Sequence, residues 1–285
     1  MTSEPALRPR GQTGLTDDGQ TPLGILLQRQ FAAAVRSALR PASYVGLFRE
    51  MLLTSVHAAT YPLGLLPPPP FGHEPPDPSI PRRPVLLLHG WVHNRTAFLL
   101  MQHGLRRAGL GPIHTFEYPS FSGDLDRVAR QLPPVVERLV GNAPQDTCVL
   151  IGHSVGGLVA RQYVQELGGD RLVDTVVTLG TPHRGTYTAY CGLGPILEQC
   201  RPGSEYLRRL DRTARPGPTR WISYYSDLDL MITPVVSAKL LHPALRATNV
   251  RARDIGHLSL LLSRWVLADL ISRLEEPAQA RISGA

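Results

Sequence analysis

The chain has 285 residues, 42% hydrophobic and 19% charged, enough to build a sizeable core in one large α/β domain with an appendage or in two small domains. Its net charge is +7 and its isoelectric point about 9.7, a balance that suits nucleic acid or anionic lipid as a partner. No run of Lys and Arg interleaves with aromatics, so the charge is read as a generally Arg-rich surface and nucleic acid is set aside.

Met1 to Gln20 are polar, include Glu4, Asp17 and Asp18, and read as a disordered tail. The first apolar cluster, Ile25-Leu26-Leu27, is too short for a secretory core and has no small-residue cleavage site behind it. No apolar run reaches the roughly 18 residues of a membrane span. The expected location is cytoplasmic, with peripheral contact to an anionic membrane as the alternative. Residues 21–61 read as a helical extension. Leu23, Leu26, Leu27, Phe31, Ala34, Val35, Ala38 and Leu39 recur at helical spacing, with Gln28, Arg29, Arg36 and Arg40 largely opposite. Pro22 suits a first turn and Pro41 ends the helix. A second helix is expected over about Ala42–Ala59, carrying Tyr44, Leu47, Phe48, Met51 and Leu52. Such helices either pack on a core or lie on a membrane surface, and packing is expected. Residues 62–83 include Pro67-Pro68-Pro69-Pro70 and read as a polyproline-type tether that bounds the core.

Residues 84–285 alternate between strand and helix signals. Strands are predicted at Val85–His89, Ile113–Phe116, Thr147–Ile151, Leu172–Leu179, Arg220–Tyr225 and Thr248–Arg253. Helices are predicted at Phe98–Ala108, Leu125–Val140, Leu158–Leu167 and Leu258–Leu274. Strands separated by helical crossovers imply a mostly parallel sheet with helices on both faces, and such sheets bind ligands at the carboxyl ends of their strands. The connection over about 183–216 is long enough for a small cap. Three cysteines make no disulfide framework. Cys148 reads as a small buried hydrophobe; Cys191 and Cys200 are expected as free thiols that pair only in an oxidising compartment.

The most informative stretch is Val149-Leu150-Ile151-Gly152-His153-Ser154-Val155-Gly156-Gly157. An apolar run ends in Gly-x-Ser-x-Gly and a helix-compatible segment follows, the context of a nucleophile elbow. A Cβ at Gly152 or Gly156 would block the approach of helix to strand. The helix N-terminus aims backbone N–H groups at the Ser154 hydroxyl, where an oxyanion would form. The bland alternative is a Gly-rich turn with an idle serine.

An elbow serine needs a base, an orienting carboxylate and two oxyanion donors, and the chain order on such an elbow is Ser, acid, His. Of ten histidines only His242 and His257 follow a plausible acid. His242 precedes Pro243 in a helical stretch, whereas His257 lies in the loop after the last predicted strand, so His257 is preferred. The acid is Asp227 or Asp229, both in the loop after Arg220–Tyr225. Asp229 is preferred because Met231-Ile232 and Pro234 follow it; the other aspartate reads as a solvated turn residue. The backbone N–H groups of Trp91, after Leu88-His89-Gly90, and of Val155 are the expected oxyanion donors. Trp91 also suits the wall of an apolar acyl pocket.

Leu88-His89-Gly90, Gly152-His153-Ser154-Val155-Gly156-Gly157, Thr178-Leu179-Gly180-Thr181-Pro182-His183-Arg184-Gly185-Thr186 and Gly256-His257 resemble bacterial triacylglycerol lipases of the α/β-hydrolase superfamily, most of all the small ones with a minimal sheet. The resemblance covers about residues 84–274. It implies Ser154 as nucleophile, Asp229 as acid, His257 as base, Trp91 and Val155 as oxyanion donors, and a structural role for His183. The expected activity is hydrolysis of an acyl ester or lipid through an acyl-enzyme, with no metal or organic cofactor. An acyltransferase or thioesterase would use the same triad; a non-catalytic lipid-binding or membrane-tethering protein is the rival from another class. Secreted members carry signal peptides, which this chain does not show, and the helical extension is no part of the minimal lipase.

Overall fold

The computed structural model of the protein describes residues 41–67, 83–119, 123–141 and 146–276. The expected tail, the expected first helix with its Leu23-to-Leu39 stripe, most of the proline segment and the Leu47 side chain lie outside the described residues.

Six strands form one wholly parallel sheet: β1 (Val85–Leu88), β2 (Ile113–Phe116), β3 (Cys148–His153), β4 (Val173–Leu179), β5 (Arg220–Ser226) and β6 (Thr248–Ala252), in the order β2-β1-β3-β4-β5-β6. Every residue of β1 and β3 is buried, because helices cover both faces. Alternate residues feed two cores. Leu86, Leu88, Cys148, Leu150 and Val176 face α3 (Leu125–Ala129), α4 (Leu132–Gly141), α5 (Val155–Glu166) and α7 (Glu205–Thr213). Val85, Leu87, Val149, Ile151 and Val177 face α2 (Leu99–Arg107), α8 (Ser259–Leu262) and α9 (Arg264–Glu275). The short α6 (Pro195–Gln199) lies in the expected cap region, before α7. Packing both faces is what removes the sheet from water and makes its strand ends rigid.

Two expected helices are broken. The one over 125–140 stops at Ala129 and restarts at Leu132, since Pro133 and Pro134 lack N–H groups but cost nothing in a new first turn. The closing helix is interrupted at Ser263, whose extended backbone lets its hydroxyl accept from Val266 N–H at 3.3 Å and cap α9. In the extension, α1 (Pro41–Gly64) runs on through Pro62, past the expected start of the tether. Packing of its apolar residues is the expectation; Leu53 does pack against the second core, but Tyr44, Phe48, Met51 and Leu52 are exposed, and polar side chains described below anchor the helix. Cys148 and Cys200 are buried and Cys191 exposed, all as free thiols. No helix among the described residues is long and apolar enough to cross a membrane.

The strand order reverses between β1 and β3, the crevice where such sheets take ligands. Leu88 pairs level with Gly152, so the loops leaving β1 and β3 start side by side. A Cβ on Gly156 would stand 2.2 Å from the Leu88 carbonyl oxygen, which ties α5 against β1 as well as β3. Gly156→Ala should therefore destabilise by about 1–3 kcal/mol, the usual cost of overpacking, whereas Gly141→Ala, where a Cβ meets nothing within 4 Å, should stay near wild type. Urea denaturation of the two variants tests this; equal stability would contradict the packing described.

Candidate active site

Ser154 leaves β3 with φ 53° and ψ −125°, a left-handed backbone that an ordinary L-residue rarely adopts. Its N–H donates to the Leu179 carbonyl at 2.9 Å, and its own carbonyl accepts from Gly157 N–H at 3.1 Å. The turn is thus pinned to the end of β4 on one side and to the first turn of α5 on the other. Val155 opens that helix.

The loop after β1 crosses directly over this turn. A Cβ on Gly90 would lie 3.0 Å from the Ser154 Cβ. His93 N–H closes a turn to the Gly90 carbonyl at 3.2 Å, with Val92 held at φ 57°, a strained value for a β-branched residue. Beneath it, His89 stacks on Tyr118 with centroids 4.1 Å apart. Burial pushes the His89 pKa down to about 4, against the opposing effect of its bond to Gly90. The neutral ring then has one tautomer that fits its neighbours: Nδ1–H donates to the Gly90 carbonyl and Nε2 accepts from Tyr118 N–H. Trp91 packs against the first core and approaches the cap at Gly192.

Asp229 follows β5 by three residues and His257 follows β6 by five, at the same end of the sheet. His257 Nδ1 lies 2.7 Å from Asp229 Oδ2, and both side chains are buried. The other carboxylate oxygen accepts from Met231 N–H and Ile232 N–H, each at 2.9 Å, so the charge of Asp229 is fully hydrogen-bonded. The backbone amides of the two residues that follow satisfy the buried carboxylate, and of their side chains Ile232 is buried while Met231 is exposed. Asp227 points elsewhere, accepting from Arg251 at 2.8 Å and from Asp254 N–H at 2.9 Å. Gly180, the centre of the Thr-Leu-Gly-Thr-Pro-His segment, has φ 57°, and a Cβ there would stand 2.9 Å from Asp229 Oδ2 and 3.0 Å from His257 Nδ1. The segment therefore carries the Ser154 pin at Leu179 and the clearance for the acid–base pair one residue later. His183 is buried with Nε2 3.0 Å from the Thr178 hydroxyl, within the core, and His242 caps the turn at Pro243–Leu245.

Around His257 stand residues that sequence patterns did not single out. His153 Nε2 faces the His257 carbonyl at 3.1 Å. The rings of His57, His93, His153 and His257 touch in series, with centroid separations of 4.7, 5.3 and 4.6 Å. Burial, then neighbouring histidine charge, lowers His93 to about 3 and His153 well below the ordinary value, so both remain neutral. His257 alone goes the other way: burial lowers it, but the charge and hydrogen bond of Asp229, with the charge of Glu50, outweigh that and raise it. Among the described residues no group of three His, Cys, Asp or Glu is arranged to hold a metal ion.

Glu50 comes from α1, more than 200 residues away in the chain. It accepts from Leu258 N–H at 2.6 Å, Ser259 N–H at 2.9 Å and the Ser259 hydroxyl at 2.5 Å, capping α8 directly after His257. The far end of the same helix is held by the loop after β1: Arg95 donates to the carbonyls of Leu63, Gly64 and Leu66, and Asn94 to that of Tyr61. α1 thus bridges the base loop and the loop over Ser154. A lone Glu in an amphipathic stretch carries no sequence signal for this.

A parallel sheet with a strained serine between strand and helix, and a buried carboxylate–imidazole pair at the neighbouring strand ends, is the framework of an α/β hydrolase. The chain matches the alpha/beta hydrolase family over residues 85–279 and belongs to it. It is 32% identical over 122 residues to a GPI inositol-deacylase of Candida albicans, a stretch that is 42% of this chain and 26% of that protein, so the match spans about a quarter of the relative's length. Among solved structures it is similar to lipase B of Aspergillus fumigatus, at 16% identity and a TM-score of 0.60, over 68% of this chain and 53% of that one. It is also similar to the mature Bacillus licheniformis lipase BlEst2, at 16% identity and 0.54, over 71% and 96%. These two likenesses are ones of fold.

For ester hydrolysis with His257 as base, the reading proposed below, three outcomes are expected. Asp229→Asn should lower ester turnover by several orders of magnitude and Asp227→Asn by less than tenfold, measured as kcat/KM. The ascending limb of kcat/KM against pH should lie above the ordinary histidine value of 6.5, because a base held protonated longer by its neighbours becomes free only at higher pH. Glu50→Gln, which removes one of the negative charges, should move that limb to lower pH. A limb unmoved in Glu50→Gln would show that the carboxylate does not act on His257.

Proposed function

We propose that the protein is a serine carboxylic-ester hydrolase that cleaves acyl esters of lipid type through an acyl-enzyme. The observation that carries this reading is the buried 2.7 Å pair of His257 Nδ1 and Asp229 Oδ2 after β5 and β6, at the same end of the sheet as the strained Ser154. In this reading Asp229 keeps the His257 proton on Nδ1, leaving Nε2 as the base. Nε2 takes the Ser154 proton as the hydroxyl oxygen attacks the ester carbonyl. The resulting oxyanion is held by the backbone N–H groups of Trp91 and Val155, each worth on the order of 3 kcal/mol in the transition state. Collapse expels the alkoxide, which takes the proton from His257. Water, deprotonated by the same nitrogen, then attacks the acyl-enzyme and releases the acid.

The carbonyl-facing side supports an apolar acyl group. Trp91 reaches towards Gly192, and Leu193 and Tyr190 are exposed in the same cap segment. α7 is tied to the body, because buried Arg161 of α5 donates to Asp211 at 2.7 Å and to the Leu210 carbonyl at 3.2 Å. The likeness to a deacylase and to two lipases by name fits the same chemistry.

A chain-length series of p-nitrophenyl esters on wild type and Ser154→Ala tests the proposal. The wild type should prefer medium or long acyl chains. Ser154→Ala should lose several orders of magnitude in rate with little change in melting temperature. Retained turnover in Ser154→Ala would sink the proposal, and rapid turnover confined to thioesters would replace the ester by a thioester as the substrate.

A further inference from the structure

The outward face of α1 has the wrong chemistry for water. Its two charged side chains, Arg49 and Glu50, are both turned towards the body, as is His57. What faces outward is Tyr44, Val45, Phe48, Met51, Leu52 and Val56, from 50% exposed at Val56 to 70% at Phe48. Leu63, Leu65 and Leu66 prolong the same exposure past the helix end, between 56% and 71%. Roughly 1.5–3 kcal/mol is at stake for each large apolar side chain left in water, so a patch of this size marks an interaction surface. The helix cannot roll to hide it, because Glu50, Arg95 and Asn94 fix its rotation through the bonds given above.

A basic cleft of about 700 Å³ opens at the foot of this face, lined by Val45, Arg49, Arg251, Arg253, Ser263 and Trp265 among others. Arg49 donates to the Asp254 carbonyl at 3.0 Å, yet its Nε is buried without a hydrogen-bond partner. Arg251 pairs with Asp227, while Arg253 is exposed and makes no side-chain hydrogen bond or ion pair among the described residues. Asp254, also in the wall, offsets part of this charge. Val45 and Trp265, both at least half exposed, join the cleft to the apolar face. Three guanidiniums beside the uncharged apolar face of α1 match one kind of partner in both chemistries: phosphate groups above acyl chains.

We propose that α1 and the arginine cleft at its foot form a docking surface for an anionic phospholipid bilayer. The inference rests on the lipid-ester reading for its purpose, since α1 bridges the two loops of the site and a bilayer on its outer face would bring acyl esters to that edge of the sheet. Docking itself needs no turnover, so it is measured on full-length Ser154→Ala. The probe is flotation with vesicles of phosphatidylcholine alone or with about one third phosphatidylglycerol. Binding should rise at least tenfold with the anionic lipid and fall with added salt, because charges are screened within about 10 Å at 0.1 M. Phe48→Glu/Leu52→Glu should abolish it, and the milder Phe48→Ser/Leu52→Ser should weaken it by about tenfold. Arg253→Glu should lower binding to the anionic vesicles by about tenfold while leaving hydrolysis of a soluble p-nitrophenyl ester unchanged in the Ser154 protein.

Absence of vesicle binding, or binding that survives both apolar pairs, would overturn the proposal. So would a dimer in sedimentation that the apolar pairs dissociate, which would make a second copy the occupant. A large drop in melting temperature in both pairs, with no vesicle binding by the parent, would assign the face to the chain's own residues 21–40. Docking with no ester turnover would leave the surface standing and remove the catalytic reading instead.

Discussion

Ser154 sits in a backbone conformation that costs of order 1–3 kcal/mol, and it does so only because its surroundings allow nothing else. Its N–H is held by Leu179, its carbonyl by Gly157, and the helix behind it by contacts to β1 that leave no room for a side chain at Gly156. Relaxing the turn would tear one of these from a sheet packed on both faces. The two cores therefore serve as the clamp for a single strained residue. The same clamp sets the level of the neighbouring strand ends, from which Asp229 and His257 reach one another across β5 and β6.

Much of this was legible in the residues. All six strands fall within two residues of the runs that signal them; β1 and β3 are the continuous buried apolar runs of a parallel sheet, while β6 is half exposed. The strand–turn–helix at Ser154 rests on short-range signals. The preference for Asp229 over Asp227 rested on the apolar residues behind it, and the structure shows what those residues do: Met231 and Ile232 give their amides to the carboxylate. The breaks at Arg130 and Ser263 were missed because helical periodicity continues across a break when both pieces face the same core. Proline at a first turn and serine at a cap were the local signs.

The extension shows the limit of periodicity most clearly. Tyr44, Phe48, Met51 and Leu52 repeat as a helix should, and repetition says that one face is apolar without saying which way it points. That direction is decided by bonds distant in sequence, from Glu50 to Leu258 and Ser259 and from Arg95 to the end of α1. Apart from Leu53, which packs on the second core, polar anchors turn inward and large apolar side chains turn outward, the reverse of the ordinary amphipathic arrangement. The consequence reaches the site, because the anchor at Glu50 caps the helix that begins beside the proposed base and adds its charge to that of Asp229 in raising His257.

In the proposed reaction Ser154 attacks the acyl carbon and carries the acyl group. Rapid mixing with a p-nitrophenyl ester, quenched in acid and followed by intact mass and peptide mapping, tests it most directly. A stoichiometric burst of p-nitrophenol, with the acyl mass on the peptide containing Ser154 and absent from Ser154→Ala, is the expected result. A burst whose acyl group maps to another residue, or steady turnover in Ser154→Ala with no acyl-protein at any time, would contradict it.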